Sequence, residues 1–270
     1  MATHLDEILA STRRDLALRK QTANRAALER RAAQHIPRGF SSALRLRAQT
    51  GPAIIAELKK ASPSRGLIRA DFQAAALAAT LANAGATALS VLTEEPFFQG
   101  SLSNLQQASA AVTVPCLRKD FIVDEFQILE ARAFSADAIL LIAAALDDAA
   151  LQRLTAAAHA QELDVLCEVH NAEEADRALD LGCDAIGVNN RDLRSFEVTL
   201  QVSFDLAPVL PAGIVRVTES GIYTAQDIAQ LRAAGFDAFL IGESLMRQSD
   251  PGAALAALLA GVGDLPEVPA

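Results

Sequence analysis

The sequence contains very little lysine. Four of its 24 basic residues are lysines, and the other 20 are arginines. Three of the four, Lys59, Lys60 and Lys119, follow apolar runs of the kind that form buried strands. An ammonium group changes its pKa readily on burial, whereas a guanidinium stays charged. Lys59 and Lys119 are therefore candidates for chemistry, and Lys60 is better explained as a solvated surface residue.

Cysteine and histidine are also scarce. The three cysteines, Cys116, Cys167 and Cys183, form no C-x-x-C pair, which argues against a disulfide framework and against a thiolate metal site. The four histidines show no H-E-x-x-H or similar ligand spacing. The sequence therefore predicts no metal site and places reduced cysteines in the core.

An excess of basic charge and long apolar runs are lacking too. The formal net charge is −9, which argues against a surface that attracts nucleic acid or anionic membrane. The amino terminus carries Asp6 and Glu7 and no apolar stretch as long as a signal peptide or membrane span. We expect a cytoplasmic protein that binds neither nucleic acid nor membrane. Any bound anion must then be held by local cations and backbone amides.

No linker rich in Gly, Ser or Pro divides the 270 residues, so one large domain is expected. From residue 52 onward, short apolar runs alternate with longer segments of helical period, a pattern typical of repeated βα units and a parallel sheet. Eight strands are predicted, at Ile54–Leu58, Ala88–Leu92, Val114–Phe121, Ala138–Ile142, Val165–Val169, Ala185–Asn189, Ile214–Glu219 and Ala238–Gly242.

Segments of helical period lie between these runs, and several end at a glycine, as helices commonly do. Strands buried on both faces and separated by helices form either an open doubly wound sheet or a closed barrel. The count of eight favours closure, so the predicted fold is a (β/α)8 TIM barrel. The clearest predicted helices are Phe72–Ala84, Glu125–Ala133, Ala149–Ala160, Ala172–Leu181 and Thr224–Ala234.

The two ends of the chain fall outside the eightfold pattern. Residues 1–50 are predicted to form an N-terminal helical extension, with an amphipathic helix around Leu5 to Leu18 and a second one from Ser41 to Arg47. This extension either closes the floor of the barrel or contributes a lid or an anion contact near its mouth. Residues 51–260 form the barrel, and residues 261–270 are expected to be a frayed tail.

Polar residues concentrate at the carboxyl ends of the predicted strands, which converge on one mouth in a barrel. Because side chains alternate along a strand, Glu57 and Lys59 should point the same way and can pair. The same spacing applies to Lys119 with Phe121 and to Asn189 with Arg191. Buried charges cost several kcal/mol, by order of magnitude, unless they are compensated, so this concentration indicates a site more than a structural layer.

Two short glycine-containing segments are suited to bind phosphate. Ser220-Gly221 follows the seventh strand, and Gly242-Glu243-Ser244 follows the eighth. Each precedes a helical segment, whose amino end offers free amide groups and a positive dipole. Barrels of this type often hold phosphate in these two loops.

Four segments together resemble the indole-3-glycerol phosphate synthase family over residues 54 to 246, and the N-terminal extension is also similar to that of the family. They are Ile55-Ala-Glu-Leu-Lys-Lys-Ala-Ser-Pro-Ser-Arg-Gly66, Leu117-Arg-Lys-Asp-Phe-Ile122 with Asp124-Glu-Phe-Gln-Ile128, Gly187-Val-Asn-Asn-Arg-Asp-Leu193, and Thr218-Glu-Ser-Gly-Ile222. No catalytic position departs from the family pattern. At position 243, where this chain has Glu243, a small residue is also common in the family.

The resemblance implies a TIM barrel that acts in tryptophan biosynthesis. Its expected substrate is 1-(2-carboxyphenylamino)-1-deoxyribulose 5-phosphate, which loses carbon dioxide and water as the indole ring closes to give indole-3-glycerol phosphate. The family requires no cofactor and no metal. We expect a phosphorylated small-molecule substrate, and either a monomer or weak association with other enzymes of the pathway.

The same resemblance, together with the chemistry, suggests catalytic roles. An ammonium suits protonation of the substrate ketone during ring closure, so Lys119 is the candidate general acid. Glu168 is the candidate base for the later elimination, and Lys59 is the second acid, tuned by Glu57. Sequence does not order the two lysines between the steps. Asn189 and Glu219 are expected to orient the anilino nitrogen and the sugar hydroxyls.

Other positions are assigned to substrate binding. Phe121 should pack against the aromatic ring, and Arg191 should lie near the substrate carboxylate or support the mouth. The segment Ser62-Pro-Ser-Arg-Gly66 contains turn formers and is expected to be a mobile lid. Hydroxyl and backbone donors for the phosphate are predicted at Ser62, Ser220, Gly221, Gly242 and Glu243.

Two other functions remain open on the sequence alone. A Schiff-base aldolase on the same barrel would use Lys119 as a nucleophile with a lowered pKa, and borohydride would trap its adduct. A non-catalytic binder of phosphorylated sugars would keep the glycine loops but lack the full acid–base set, which is present here. Fold alone does not decide among these functions, because the barrel hosts many reactions.

Overall fold

A closed barrel of eight parallel strands forms the centre of the protein within residues 3–192 and 195–263, which the computed structural model describes. Each strand pairs with the next in the chain, and the last pairs with the first, Ala53 opposite Ala238. This confirms the predicted fold class. The strands are β1 Ala53–Leu58, β2 Ala88–Leu92, β3 Cys116–Lys119, β4 Ala138–Ile142, β5 Asp164–Val169, β6 Ala185–Asn189, β7 Val215–Glu219 and β8 Ala238–Ile241.

The third strand is shorter than the sequence predicted. The prediction ran from Val114 to Phe121, whereas β3 spans Cys116–Lys119. Pro115 precedes the strand and has no N–H to donate to a ladder. At the other end, the carboxylate of Asp120 accepts the Phe121 N–H at 2.8 Å and turns the chain out of the sheet. The other predicted strands agree with the structure to within a residue at each end.

Helices surround the barrel, and side-chain caps fix where several of them begin. Asp124, Asp147 and Asn171 each accept a backbone N–H from the first turn of the helix that follows. In the described residues the helices are α1 His4–Thr22, α2 Arg25–Ala32, α3 Phe40–Ala48, α4 Ala74–Asn83, α5 Leu102–Ala111, α6 Glu125–Ala133, α7 Asp148–Ala160, α8 Ala172–Asp180, α9 Gln201–Leu206, α10 Ala225–Ala233, α11 Glu243–Met246 and α12 Pro251–Gly263.

The N-terminal extension contains three helices, and its third closes the floor of the barrel. Phe40 and Leu44 of α3 are fully buried against apolar side chains inside the barrel, including Leu117 and Leu166. The carboxylate of Asp164, at the start of β5, accepts hydrogen bonds from both the backbone N–H and the hydroxyl of Ser41. The third helix therefore packs at the floor of the barrel.

The first helix reaches the opposite end of the barrel. His4, Leu5 and Ile8 of α1 line the cavity at the mouth, and the His4 ring lies 4.9 Å from the Phe196 ring, centroid to centroid. The extension thus reaches both ends of the barrel, through α3 at the floor and α1 at the mouth.

Ion pairs fasten the far end of α1 to the barrel. Arg19 pairs with the buried carboxylate of Glu130 at 2.9 Å, and Lys20 pairs with Asp124 at 2.9 Å, both on or next to α6. These contacts fix the direction in which α1 crosses the mouth.

The last helix passes through part of the predicted tail. Since α12 ends at Gly263, Gly261 is helical, and the tail does not begin at residue 261 as predicted. The remaining tail residues, 264–270, lie outside the described residues. Among the described residues, no helix combines the length and the apolar character needed to cross a membrane.

Candidate active site

One cavity at the mouth of the barrel contains every residue that the sequence analysis assigned to the site. It is bounded by the carboxyl ends of the strands, the loops that follow them and the start of α1. The predicted residues that line it are Glu57, Lys59, Ser62, Lys119, Phe121, Glu168, Asn189, Arg191, Glu219, Ser220, Gly221, Gly242 and Glu243.

Lys119 lies at the centre of a cluster of carboxylates. Its Nζ is 3.1 Å from Oε2 of Glu219, 3.7 Å from Oε2 of Glu57 and 3.7 Å from Oε2 of Glu168. All three carboxylates are nearly inaccessible to solvent. The strands that carry these four side chains are β1, β3, β5 and β7, so alternate strands of the closed barrel supply the cluster.

The cluster keeps the amine of Lys119 protonated. Burial alone would lower the pKa of Lys119, but the charges of Glu219, Glu57 and Glu168 outweigh burial and raise it well above the usual range. A Schiff-base lysine needs a neutral, nucleophilic amine. This environment therefore disfavours the aldolase alternative and leaves Lys119 with the proton that a general acid must carry.

A second ion pair lies beside the first. Nζ of Lys59 is 2.6 Å from Oε1 of Glu57, as the two-residue spacing predicted. Burial would raise the pKa of Glu57, yet Lys59 and Lys119 together hold it below its ordinary value. Glu57 is therefore an anion shared by both lysines.

Gly242 provides the space that Glu57 occupies. A β-carbon at position 242 would overlap Oε1 of Glu57 and lie 2.9 Å from its Cβ. Gly242→Ala is expected to displace the Glu57 carboxylate and to lower kcat by about 100-fold, the cost of a displacement of about 1 Å in an active site.

Steady-state kinetics of Gly242→Ala measure this effect, and Gly213→Ala is the matched control because a β-carbon at position 213 meets no atom within 4 Å. Equal rates in the two variants would show that the spacing of Glu57 does not matter.

Glu219 has an unusually high pKa. Burial raises it, the ammonium of Lys119 opposes the rise, and Glu168 adds to it, which leaves the pKa of Glu219 at about 7. Its Oε1 is buried and has no hydrogen-bond partner among the described residues. The carboxyl group thus titrates near neutral pH, and its Oε1 lies buried against Gly187 of the neighbouring strand β6.

This pKa makes stability depend on pH. Glu219 holds its proton up to about pH 7 in the folded protein but only up to about pH 4.5 in the unfolded chain. Its contribution to the free energy of unfolding is therefore complete below pH 4.5 and is lost as the pH rises through 7. Glu219→Gln is therefore expected to flatten the fall in Tm over that interval. Thermal melts of Glu173→Gln, on the exposed side of α8, serve as the control, and an unchanged slope in Glu219→Gln would contradict the assignment.

Glu168 is held in place by its neighbours. Asn189 donates from Nδ2 to Oε1 of Glu168 at 3.0 Å, and the Arg191 N–H donates to Oδ1 of Asn189 at 3.0 Å. Asn189 therefore orients the candidate base directly, in addition to the substrate-orienting role predicted from sequence.

The loops after β7 and β8 lie next to each other at one side of the cavity. Ser220 and Gly221 both have positive φ, 66° and 80°, which turns the backbone sharply after β7. Gly221 has little room for a side chain, because a β-carbon there would lie 2.7 Å from Cγ1 of Val198. Both loops and Ser62 face the same space in the cavity.

The carboxylate of Glu243 is surrounded by arginines. It lies 3.1 Å from Arg65, 3.2 Å from Arg247 and 4.0 Å from Arg191. The side chain is therefore committed to ion pairs. An anion could therefore be bound by the backbone N–H of Glu243 but not by its side chain, in line with the backbone donor that the sequence analysis proposed.

The predicted lid is a short hairpin. Ala61–Ser62 pairs with Gly66–Leu67, and Gly66 adopts a positive φ of 63° with no atom within 4 Å of where a β-carbon would be. The ion pair between Arg65 and Glu243 joins this hairpin to the loop after β8.

Phe121 forms part of an aromatic wall. Its ring lies 6.1 Å from the ring of Phe98, centroid to centroid, and both side chains line the cavity. Phe121 follows the end of β3, so the strand alternation invoked to pair it with Lys119 does not apply there, although both residues reach the cavity.

Sequence reasoning missed several residues in or next to the cavity. His170 lies beside Glu168, and the two-residue spacing that paired Glu57 with Lys59 would have selected it. The cavity contacts of His4 and Phe196 depend on how distant loops meet, and no local pattern predicts them.

Comparisons with known proteins show the family of this chain. The sequence profile of the family described as "Indole-3-glycerol phosphate synthase" matches residues 5–258. A relative of that name from Koribacter versatilis (strain Ellin345) is 58% identical, over 96% of this chain and 100% of the relative. One from Burkholderia vietnamiensis (strain G4 / LMG 22486) is 51% identical, over 95% of this chain and 98% of the relative.

A solved structure, 3-hexulose-6-phosphate synthase from Salmonella typhimurium, has a TM-score of 0.61 at 13% identity, over 77% of this chain and 98% of that one, which shows the barrel fold alone. The family profile and the curated relatives go further. The chain belongs to the indole-3-glycerol phosphate synthase family, the carboxy-lyases that close the indole ring in tryptophan biosynthesis.

Proposed function

We propose that Lys119 is the general acid that protonates the substrate ketone while the aniline ring carbon attacks it. The observation that carries this proposal is the contact of one buried ammonium with three carboxylates at the mouth of the barrel. An amine that is protonated before the reaction can donate to a developing alkoxide, and its carboxylate neighbours can return the proton afterwards.

The later steps need an acid and a base. Ring closure and loss of carbon dioxide leave a hydroxyl group that departs as water and a ring proton that must be removed. Glu168 is the proposed base, and Lys59, held by Glu57 at 2.6 Å, is the second acid. The two lysines could also exchange roles, with Lys59 as the acid of ring closure and Lys119 as the acid of the elimination. The same residues would then take part.

Substrate binding divides the cavity into regions. We assign the phosphate to the backbone amides and hydroxyls of the loops after β7 and β8 and to Ser62. Arg191 lies at the mouth with a guanidinium suited to the substrate carboxylate. Phe121 supplies an aromatic face for the anthranilate ring. We assign Glu219, which lines the cavity beside Lys119, to orient the sugar hydroxyls.

An optical assay tests the function directly. Purified protein is mixed with 1-(2-carboxyphenylamino)-1-deoxyribulose 5-phosphate without metal or cofactor, and the growth of indole fluorescence is followed. The chain contains no Trp, so its own emission does not mask the product. A signal proportional to enzyme concentration is expected. Folded protein that binds the substrate without producing a signal would support the non-catalytic alternative.

The hairpin after β1 is the proposed lid, and Gly66→Ala tests it. The substitution meets no steric contact but disfavours the positive φ by about 1–2 kcal/mol, so it should alter the opening and closing of the hairpin and slow turnover. Gly182→Ala, with φ of 74° and the same open surroundings at the end of α8, is the matched control. Unchanged steady-state and single-turnover rates in Gly66→Ala would exclude the lid.

We also propose that the enzyme is cytoplasmic and monomeric, or only weakly associated with other enzymes of the pathway. Sedimentation equilibrium of the purified protein tests the monomer. A mass near 28.5 kDa is expected, and a stable dimer would contradict the proposal.

A further inference from the structure

His170 lies behind the candidate base and outside the cavity lining. It follows Glu168 by two residues at the end of β5, and its side chain is 14% exposed. Its Nε2 is 3.5 Å from Oε1 of Glu168, and this nitrogen is buried without a hydrogen-bond partner among the described residues. A buried polar nitrogen that faces a catalytic carboxylate needs an explanation.

The other side of the imidazole is fixed. Oε2 of Glu174, in α8, is 3.1 Å from Nδ1 of His170 and also accepts the His170 backbone N–H at 2.8 Å. Because a carboxylate only accepts, Nδ1 carries the proton in this contact. The ring is therefore anchored from α8, and its Nε2 is directed at Glu168.

The charges around the imidazole favour its cationic form. Glu168 on the same strand, Glu174 on α8 and Glu219 on β7 act on it, whereas Lys119 on β3 approaches the other oxygen of Glu168. Burial alone would lower the pKa of His170, but Glu174, Glu168 and Glu219 together raise it above its ordinary value. In the cationic ring, Nε2 carries a proton and can donate to Oε1 of Glu168. In the neutral ring with its proton on Nδ1, the lone pair of Nε2 would face a lone pair of Oε1, which is repulsive.

We propose that His170 is a positioning residue for the reaction: anchored by Glu174, its imidazolium orients the Glu168 carboxylate from behind and supports its negative charge. This inference rests on the proposed role of Glu168 as base. Asn189 and His170 both act on Oε1, which leaves Oε2 to face Lys119 and the cavity. Glu174 therefore acts on the site only indirectly, because it holds the His170 ring that orients Glu168.

The test uses His170→Gln and Glu174→Gln in the full-length enzyme. His170→Gln removes the cation, so kcat is expected to fall by about tenfold, a part of the about 100- to 10,000-fold that a general base contributes. KM is expected to stay unchanged, because His170 does not line the cavity. Loss of a neighbouring positive charge should also move the acid limb of the kcat profile upward by about one pH unit.

Glu174→Gln keeps the ring and removes its anchor. A smaller loss of kcat with an acid-limb shift in the same direction is expected. The double variant should be no slower than His170→Gln alone, because Glu174 acts only through His170. Glu173→Gln, on the same helical turn and exposed, is the control and should match the wild type in rate and pH profile.

Each outcome decides the inference. Wild-type kcat and pH profile in His170→Gln would overturn it, as would a fall in kcat that tracks a fall in Tm with no pH shift. If His170→Gln fails to fold, the acid limb of the kcat profile of Glu174→Gln tests the proposal, and an unshifted limb would overturn it. An inactive wild-type enzyme would refute the proposed function instead, and full activity in Glu168→Gln would refute the choice of base.

Discussion

Lys119→Met is expected to lower the rate of ring closure by about 100- to 10,000-fold, the contribution typical of a positioned proton donor. Methionine occupies similar space but carries no proton to give. The change also leaves Glu57, Glu168 and Glu219 close together without the ammonium that now lies between them, so their mutual repulsion is no longer offset. Single-turnover fluorescence measures the rate, and calorimetric titration with substrate measures binding, which should persist.

Lys60→Met is the matched control for this loss. Lys60 is adjacent in sequence to Lys59, and its carbonyl accepts hydrogen bonds from Ile68 and Arg69 through the backbone alone, so removal of its amine leaves those contacts in place. The control should turn over at the wild-type rate. Normal single-turnover rates in Lys119→Met would show that another group protonates the ketone, even though the family assignment would stand.

Glu168→Gln is expected to separate the early steps from the last one. The amide keeps the shape of the side chain but cannot take up a proton, so the final elimination should slow by about 100- to 10,000-fold. Substrate loss measured by chromatography should then run ahead of indole fluorescence, because indole forms only when the ring becomes aromatic.

Glu173→Gln is the control that shows whether the loss of one negative charge elsewhere on the protein also lowers the rate. Glu173 lies in the first turn of α8 and is exposed, so its neutralisation changes net charge equally without touching the cavity. A Glu168→Gln enzyme in which substrate loss and fluorescence slow together would place Glu168 in ring closure and leave the base of the elimination to Glu57 or Glu219.

The sequence predicted which charged residues meet at the mouth, because closure of a barrel brings the ends of distant strands together. Glu57, Lys119, Glu168 and Glu219 each stand at the carboxyl end of a strand, and closure brings such ends together regardless of their separation in the chain. Alternation along the first strand paired Glu57 with Lys59, whereas the roles of Glu168 and Glu219 came from the family resemblance. The same reasoning placed Asn189 beside the site.

Features that depend on loops could not be predicted in this way. The ion pairs of Glu243 with Arg65 and Arg247 require the hairpin after β1 and the short α11 to meet at side-chain distance. The route of α1 to the mouth depends on its contacts with α6, which no periodicity in residues 1–50 encodes. Local turn chemistry also shortened β3, since Asp120 redirects the backbone before Phe121.

The pairing of the first strand with the last has a consequence for biosynthesis. While the chain emerges from the ribosome, β1 can pair with β2, but its other edge has no partner until Ala238–Ile241 has been synthesised. An open edge of apolar strand is a template for association with other chains. A nascent chain that stalls after β7 would therefore carry two unpaired edges, on β1 and on β7, and would be open to such association until its final strand is added.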